Sequence, residues 1–250
     1  MCDAHPSRRA LVTGALTATA LAAAPAAAQG TGRRGAMRVV PPAPTRNGKS
    51  ALNPDQALQL LRDGNAAFLR GEVINPDLSP QRRLELARGQ APFVAYVSCS
   101  DSRVPPELLF GRGLGELFIV RNAGNTVDTV ARGSIEFAVA VLGVPLVVVM
   151  GHEACGAVKA AMDVVGKNAR FPGAIDSMIE PIIPAVLEAR GAAGDPTEAA
   201  IRQNVRRVVN NMRERSDPLL MQPQAEGKLK VVGAYYELGT GRVDFFDLPR

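Results

Sequence analysis

The sequence predicts an α/β fold, with a mainly parallel central β-sheet flanked by helices. Three short segments, residues 93–97, 117–120 and 144–150, are almost continuously apolar and rich in β-branched or aromatic residues. Helical patterns separate them, and continuous apolar strands that alternate with helices are typical of a parallel sheet buried on both faces. About 200 residues follow the N-terminal region, which suffices for one such domain with a sizeable core.

Residues 1–28 have the features of a bacterial export signal. Arg8 and Arg9 form a twin-arginine start, residues 10–28 are uncharged and rich in alanine, and residues 26–28 offer a cleavage point. A membrane anchor is the alternative, but the run contains mainly Ala, Thr and Gly rather than Leu and Ile, so its transfer into lipid is poor. We therefore expect cleavage, a periplasmic or secreted protein, and no stable membrane span afterwards.

Residues 29–50 are predicted to form a flexible linker. This segment contains Arg33-Arg34, Pro41-Pro42, Pro44 and several glycines, and its apolar residues show no periodicity. The folded domain is then predicted over residues 51–250, because no later repeat or long apolar run divides it.

The predicted elements of this domain follow in order. A helix begins at Asn53-Pro54, a capping residue followed by proline at the first helical position, and its apolar residues recur at helical spacing. This helix can pack on the core or on a partner subunit. The strand at residues 93–97 ends just before Cys99, and the strand at residues 117–120 leads through a polar turn into a helix over residues 127–142. Gly151 breaks the third strand, with His152 and Cys155 just beyond it.

The rest of the chain is predicted to be scaffold. Helices are expected near residues 177–189 and 197–215, and strands over residues 229–236 and 243–246 with a turn between them. The second of these helices is rich in arginine. We interpret its arginines as a solvated face or a subunit contact rather than a dedicated binding surface: they are Arg202, Arg206, Arg207, Arg213 and Arg215.

The thiols and imidazoles of the chain indicate a metal site. Once the export signal is removed, the sequence retains one histidine and two cysteines, namely His152, Cys99 and Cys155. Two thiolates and one imidazole fill three corners of the tetrahedron that zinc prefers, and an open fourth corner is typical of catalytic zinc. A disulfide is the alternative in an oxidising compartment. The neighbouring Asp101 and Arg103 favour the metal.

Charge and motif content weigh against other classes of protein. The formal charge is +5 and falls by one on removal of the export signal. The basic residues are scattered among acidic ones rather than grouped in a stripe with aromatic residues, so nucleic-acid binding is not indicated. A deaminase-type zinc site would require H-x-E with P-C-x-x-C, and the sequence contains neither.

The motif Cys99-x-Asp101-x-Arg103, followed by Gly-His152-x-x-Cys155, resembles that of the β-class carbonic anhydrases. Matching blocks cover residues 98–107, 116–125 and 147–158, and the resemblance extends over about residues 54–246. It implies one zinc ion per subunit, held by Cys99, His152 and Cys155. It also implies reversible hydration of carbon dioxide to bicarbonate and a proton by zinc-bound hydroxide. Because the family forms dimers and often larger assemblies, we expect at least a homodimer.

The resemblance assigns roles to the two charged residues of the motif. Zinc can lower the pKa of a bound water from 15.7 to about 7. In the family, the aspartate that matches Asp101 accepts a hydrogen bond from this water, and the arginine that matches Arg103 holds the carboxylate. A bidentate pair of this kind also keeps the carboxylate ionised.

Five further residues are predicted to bind substrate, and four of them match substrate-binding positions of the family. Gln90 matches a glutamine that donates to bound substrate, and Gly156 can present its backbone N–H towards the metal at the start of a helix. Phe118, Ala123 and Phe137 match residues that line the carbon dioxide pocket, partly across the dimer interface. A role in the hydrophobic core remains open for each of these three.

The sequence departs from one subset of the family. That subset binds bicarbonate at a regulatory pocket built from Trp, Arg and Tyr, whose positions correspond to Tyr96, Arg121 and Phe137 here. Because only the arginine is retained, the sequence does not support a prediction of such regulation. We also expect Asp101 to stay paired with Arg103 rather than move onto the metal.

Two other functions remain open. An enzyme of the same fold could hydrolyse carbon disulfide or carbonyl sulfide, since it would share every metal ligand and differ in access to the pocket. A non-catalytic zinc-binding protein is the second, although structural zinc sites are usually closed by four protein ligands.

The route of proton release is constrained, because the single histidine of the processed chain is assigned to the metal. We expect the proton to leave through Asp101 and water to external buffer.

Overall fold

The computed structural model describes residues 38–72, 74–214 and 218–249. The predicted export signal and residues 29–37 of the predicted linker lie outside these described residues. The strands are β1 Arg38–Val39, β2 Thr45–Arg46, β3 Lys49–Ser50, β4 Ile74–Asn75, β5 Val94–Cys99, β6 Leu117–Asn122, β7 Leu146–His152, β8 Lys230–Tyr236 and β9 Val243–Asp247. The helices are α1 Pro54–Leu69, α2 Pro80–Leu86, α3 Pro106–Phe110, α4 Thr129–Ala140, α5 Gly156–Lys167, α6 Ala174–Ile179, α7 Ile183–Glu188, α8 Pro196–Glu214 and α9 Pro218–Ala225, with a 3-10 turn at Glu180–Ile182.

The central sheet has the strand order β6-β5-β7-β8-β9. The first four of these strands are parallel, and β9 runs antiparallel to β8 at one edge. The predicted mainly parallel sheet flanked by helices is therefore confirmed. Because parallel strands end at the same edge of a sheet, the residues that follow β5, β6 and β7 lie close together.

Helices cover both faces of the sheet. Every residue of β5 and β7 is buried, and successive side chains along a strand point to opposite faces. Tyr96 accordingly packs with Leu61 and the other apolar residues of α1 and α3 on one face. Val97 packs with Ile135 and Val205, on α4 and α8, on the other. This two-sided burial explains why the strands are continuous apolar runs in the sequence.

The first helix forms as its capping signal predicts. The Asn53 side chain accepts a hydrogen bond from the backbone of Gln56, and the Gln56 side chain accepts one from the backbone of Asn53, each at 2.9 Å. This reciprocal pair satisfies two backbone donors that the helix itself leaves free.

Three sequence-based boundaries are corrected by the structure. Strand β5 continues through Cys99 and β7 through His152, so both residues end strands rather than lie in the turns beyond them. The single helix predicted near residues 177–189 is divided into α6, the 3-10 turn and α7. Pro181 and Pro184 account for this division, because proline lacks the N–H that continues a helix and its ring clashes with the preceding turn.

Residues 38–50, within the predicted flexible linker, contain local structure. Strand β1 pairs in parallel with β4, and β2 and β3 form an antiparallel hairpin. The backbone N–H of Ala43 donates to the buried Glu116 carboxylate at 2.9 Å. The composition of this segment, which indicated a linker, could not reveal this long-range hydrogen bond.

No helix in the described parts of the chain is both long and apolar enough to cross a membrane.

Gly64 lies where α1 packs against α3. A β-carbon at this position would lie 2.1 Å from the backbone carbonyl oxygen of Phe110. Since a backbone atom cannot rotate away, we expect Gly64→Ala to lower the free energy of unfolding by about 1–3 kcal/mol in urea denaturation. Gly166→Ala in α5 is the control, because the described residues place no atom within 4 Å of its β-carbon. Equal stability of the two variants would contradict this account of the helix contact.

Candidate metal centre

The predicted ligands meet at the carboxyl end of the sheet. Cys99 ends β5, His152 ends the neighbouring strand β7, and Cys155 directly precedes α5. Their ligand atoms, two Sγ and one imidazole nitrogen, all lie within 4.8 Å of one another, and all three residues are buried. The pairing of β5 with β7 thus brings together residues that are more than fifty positions apart in the sequence.

His152 presents a free nitrogen to this cluster. Its Nδ1 lies 2.9 Å from the carbonyl oxygen of Glu153. A carbonyl can only accept a hydrogen bond, so Nδ1 carries the proton and Nε2 keeps its lone pair. Nε2 is buried and has no hydrogen-bond partner among the described residues. A buried imidazole nitrogen without a partner, oriented by a carbonyl on its other nitrogen, is suited to a metal.

The two cysteines are free thiols rather than the alternative disulfide. Hydrogen bonds from the Cys155 thiol and from backbone N–H groups lower the pKa of Cys99. The same thiol contact and burial raise the pKa of Cys155. Without a cation the pair therefore favours one negative charge. A bound divalent ion would stabilise both thiolates, and the donor set fits zinc.

Asp101 and Arg103 form a bidentate ion pair beside the cluster. Arg103 donates from Nε and from a terminal guanidinium nitrogen to the two carboxylate oxygens of Asp101, at 2.8 and 2.7 Å. These hydrogen bonds hold the pKa of Asp101 well below its usual range. One carboxylate oxygen of Asp101 lies 3.9 Å from Nε2 of His152. An ionised, oriented acceptor therefore faces the position that the ligands surround.

Arg121 has a structural role that its sequence position did not indicate. Its guanidinium donates to the carbonyl oxygens of Cys99 and Asp101, at 2.9 and 2.7 Å. It thereby fixes the backbone from the end of β5 to Asp101. Tyr96 is fully buried, with its hydroxyl 2.6 Å from Sδ of Met150, whereas Phe137 is exposed. The three residues at the regulatory positions of the family thus lie in different environments.

The five predicted substrate-binding residues divide into two groups. Ala123 packs against the cluster that contains both cysteines. Gly156 is the first residue of α5, and no atom of the described residues lies within 4 Å of the position that a β-carbon would take there. Phe118 lies opposite Ala95 on the neighbouring strand β5. Ala95 is four residues before Cys99, so Phe118 lies about 13 Å from Cys99 along the strand direction. Its ring contacts that of Phe137, with centroids 6.4 Å apart. Gln90 precedes the amino end of β5. Within one chain, these last three residues are not brought to the metal cluster.

Comparisons with known proteins indicate one family. A family model described as carbonic anhydrase matches residues 94–243. The chain is 39% identical over 192 residues to a carbonic anhydrase of Mycolicibacterium smegmatis, covering 77% of this chain and 93% of the relative. It is 38% identical over 190 residues to carbonic anhydrase 2 of Mycobacterium tuberculosis, covering 76% and 91%.

A solved structure shares the fold. The structure of tetrameric β-carbonic anhydrases from the filamentous ascomycete Sordaria macrospora matches with a TM-score of 0.60 and 29% identity, over 67% of this chain and 87% of that one. The region matched by the family model, residues 94–243, contains the strands that carry Cys99 and His152 and the start of α5. The chain belongs to the β-carbonic anhydrase family.

Proposed function

We propose that this protein catalyses the reversible hydration of carbon dioxide to bicarbonate and a proton, with one zinc ion per subunit held by Cys99, His152 and Cys155. The buried cluster of two thiols and one unpartnered imidazole nitrogen carries this proposal. It supplies three ligands among the described residues, which matches a catalytic rather than a closed structural zinc site. The adjacent Asp101–Arg103 pair supports catalysis over simple zinc binding.

Zinc suits the donor set and the reaction. Thiolate and imidazole ligands favour zinc over the hard cations that require oxygen. When bound, zinc would lower the pKa of a coordinated water to about 7 and polarise an adjacent substrate oxygen.

The chain's own residues orient the reacting groups. The carboxylate of Asp101 accepts a hydrogen bond from the attacking hydroxyl group and later from the hydroxyl of bicarbonate. The first of these hydrogen bonds directs a lone pair of the attacking oxygen towards the carbon of carbon dioxide. Arg103 occupies both carboxylate oxygens and limits rotation of the acid. Arg121 fixes the backbone between Cys99 and Asp101. Ala123 and Gly156 leave room for a small linear substrate because neither has a bulky side chain.

The oligomeric state of the protein is part of the same proposal. Strand β6 is an edge of the central sheet, and an edge strand offers unpaired backbone groups to another chain. Beside it lies an apolar cavity of about 550 Å³, lined in part by the exposed Leu108 and Leu114. Phe118 and Phe137 lie on the opposite face of the sheet from this cavity. A homodimer or larger homo-oligomer formed along the β6 edge would bring Gln90, Phe118 and Phe137 to a neighbouring subunit's pocket. Export through the N-terminal signal also remains a prediction.

One experiment tests the proposed activity. Purified protein is analysed for zinc content and for mass in solution, and carbon dioxide hydration is followed by stopped flow. The same preparation is assayed for sulfide release from carbon disulfide and carbonyl sulfide. We expect zinc and rapid hydration with no sulfide release. Sulfide release without hydration would replace the proposal with the alternative hydrolase, and bound zinc with neither activity would indicate a non-catalytic site.

Proton release should depend on external buffer. The described residues contain one imidazole, that of His152, and its Nδ1 is already bonded to Glu153. A histidine shuttle is therefore missing from this part of the chain, and imidazole is the usual carrier near neutral pH. At fixed pH and ionic strength, we expect the maximal hydration rate to rise with the concentration of an imidazole-type buffer and then level off. A rate independent of buffer down to very low concentration would contradict this prediction.

A further inference from the structure

A loop between β6 and α4 contacts one of the metal ligands through its backbone. The N–H of Gly124 donates to Sγ of Cys99 at 3.4 Å. A hydrogen bond to a thiolate withdraws charge from the sulfur, and such contacts around a ligand tune the properties of its metal. The position of the Gly124 peptide therefore matters to the metal centre, although Gly124 is not itself a ligand.

A side chain from a distant helix holds this loop. Asn204, in α8, donates from Nδ2 to the carbonyl oxygen of Gly124 at 2.9 Å. Asn204 is 2% exposed and lies on the buried side of α8 with Ile201 and Val205. Burying an amide in apolar surroundings is unfavourable unless it is hydrogen-bonded. The contact with Gly124 is a bond of this kind, and it holds the residue whose N–H donates to Sγ of Cys99.

The space beside the α-carbon of Gly124 is closely packed. Its φ of +79° is in the left-handed region, and a β-carbon there would lie 2.6 Å from Cδ1 of Ile182 and 3.1 Å from Cβ of Ala157. Within the loop, the Asn122 amide donates to the carbonyl oxygen of Thr126 at 2.6 Å. The glycine is thus placed between this packing and the amide of Asn204.

We propose that Asn204 is a positioning residue for the metal ligand Cys99. Its amide holds Gly124 so that the glycine N–H points at Sγ, and this hydrogen bond sets how strongly the sulfur donates to the metal. The inference rests on the proposed zinc site, but it concerns a residue 80 positions beyond the loop, in a helix that contributes no ligand.

The test compares Asn204→Leu with the wild-type protein after loading with Co²⁺ or zinc. Leucine has a similar size and lacks the donor. We expect the sulfur-to-cobalt charge-transfer band to move to longer wavelength, because a thiolate without the hydrogen bond is easier to oxidise. Zinc should be released to a chelator about 10-fold faster, because the loop no longer holds Cys99 in place and this loss of positioning outweighs the stronger donation by the sulfur. Amide hydrogen exchange of residues 122–126 should also accelerate in the metal-free protein, which reports loop position independently of activity.

Asn65→Leu is the matched control. Asn65 is 4% exposed, lies in α1, and also donates to a glycine carbonyl, that of Gly241, at 2.9 Å. Its loss should lower stability and leave the cobalt spectrum and zinc release unchanged. If the cobalt band and the zinc release of Asn204→Leu match the wild type, or if Asn65→Leu shifts the band equally, the positioning role is wrong.

A second variant covers the case in which Asn204→Leu does not fold. Gly124→Ala displaces the same residue by placing a methyl group against Ile182 and Ala157 at a positive φ that disfavours alanine. The closest contact is the flexible end of Ile182, so we expect a lower melting temperature but a folded protein. The same shift of the charge-transfer band is expected, and an unchanged band would overturn the proposal. Failure of the wild-type protein to bind zinc or Co²⁺ would instead overturn the proposed metal site.

Discussion

Replacing His152 by alanine is expected to abolish zinc retention and carbon dioxide hydration together. The substitution removes the one ligand nitrogen of the cluster, which is buried and already oriented by the carbonyl of Glu153. Two sulfur ligands remain, and without the full ligand set the free energy of zinc binding falls steeply. Cys99→Ala and Cys155→Ala should have the same result, since each removes a direct bond to the metal.

The measurement is zinc content per chain after dialysis, paired with stopped-flow hydration. We expect a fall from one zinc ion per chain to near zero, with activity at the buffer background. Val147→Ala is a suitable control, because Val147 is buried in the same strand as His152 and offers no ligand. It should lower the melting temperature and retain zinc. A His152→Ala protein that still held one zinc ion per chain would disprove the ligand assignment.

Asp101→Ala should retain zinc and lose most of the hydration rate. Asp101 lies beside the cluster, with an oxygen 3.9 Å from Nε2 of His152, and we assign it to orienting the nucleophile rather than to holding the metal. Groups that accept or position a proton in the transition state contribute about 100-fold or more to rate. We therefore expect kcat to fall by about that factor while zinc content stays at one per chain.

Arg103→Ala should cause a similar loss of hydration rate, because the Asp101 carboxylate is then present but no longer held in position. An unperturbed aspartate has a pKa of about 3.9, so Asp101 would stay ionised at neutral pH without its partner. Any loss of rate therefore reports the orientation of the carboxylate rather than its charge. Arg103→Lys keeps the positive charge but not the bidentate geometry, and we expect it to restore only part of the rate. Wild-type turnover in Asp101→Ala or Arg103→Ala with zinc bound would refute the proposed roles of this pair.

Local signals in the sequence determined much of the fold and the centre of the site. Continuous apolar runs predicted the strands now seen as β5, β6 and β7, and the Asn53-Pro54 cap predicted the start of α1. The ligand triplet and the Asp101–Arg103 pair were readable because cysteine, histidine and closely spaced opposite charges carry their chemistry in their own identity. These features depend on a few neighbouring residues, so no knowledge of the chain path was needed.

The tertiary structure alone decided which distant groups meet. The strand order, with β5 between β6 and β7, places Cys99 next to His152. The donors of Arg121 reach two carbonyl groups, and Asn204 reaches Gly124 from a helix 80 residues away. Ala43 likewise gains local order through Glu116. Such contacts depend on how strands align and which helix packs over which loop. They are set by burial summed over the whole core, which no short stretch of sequence contains.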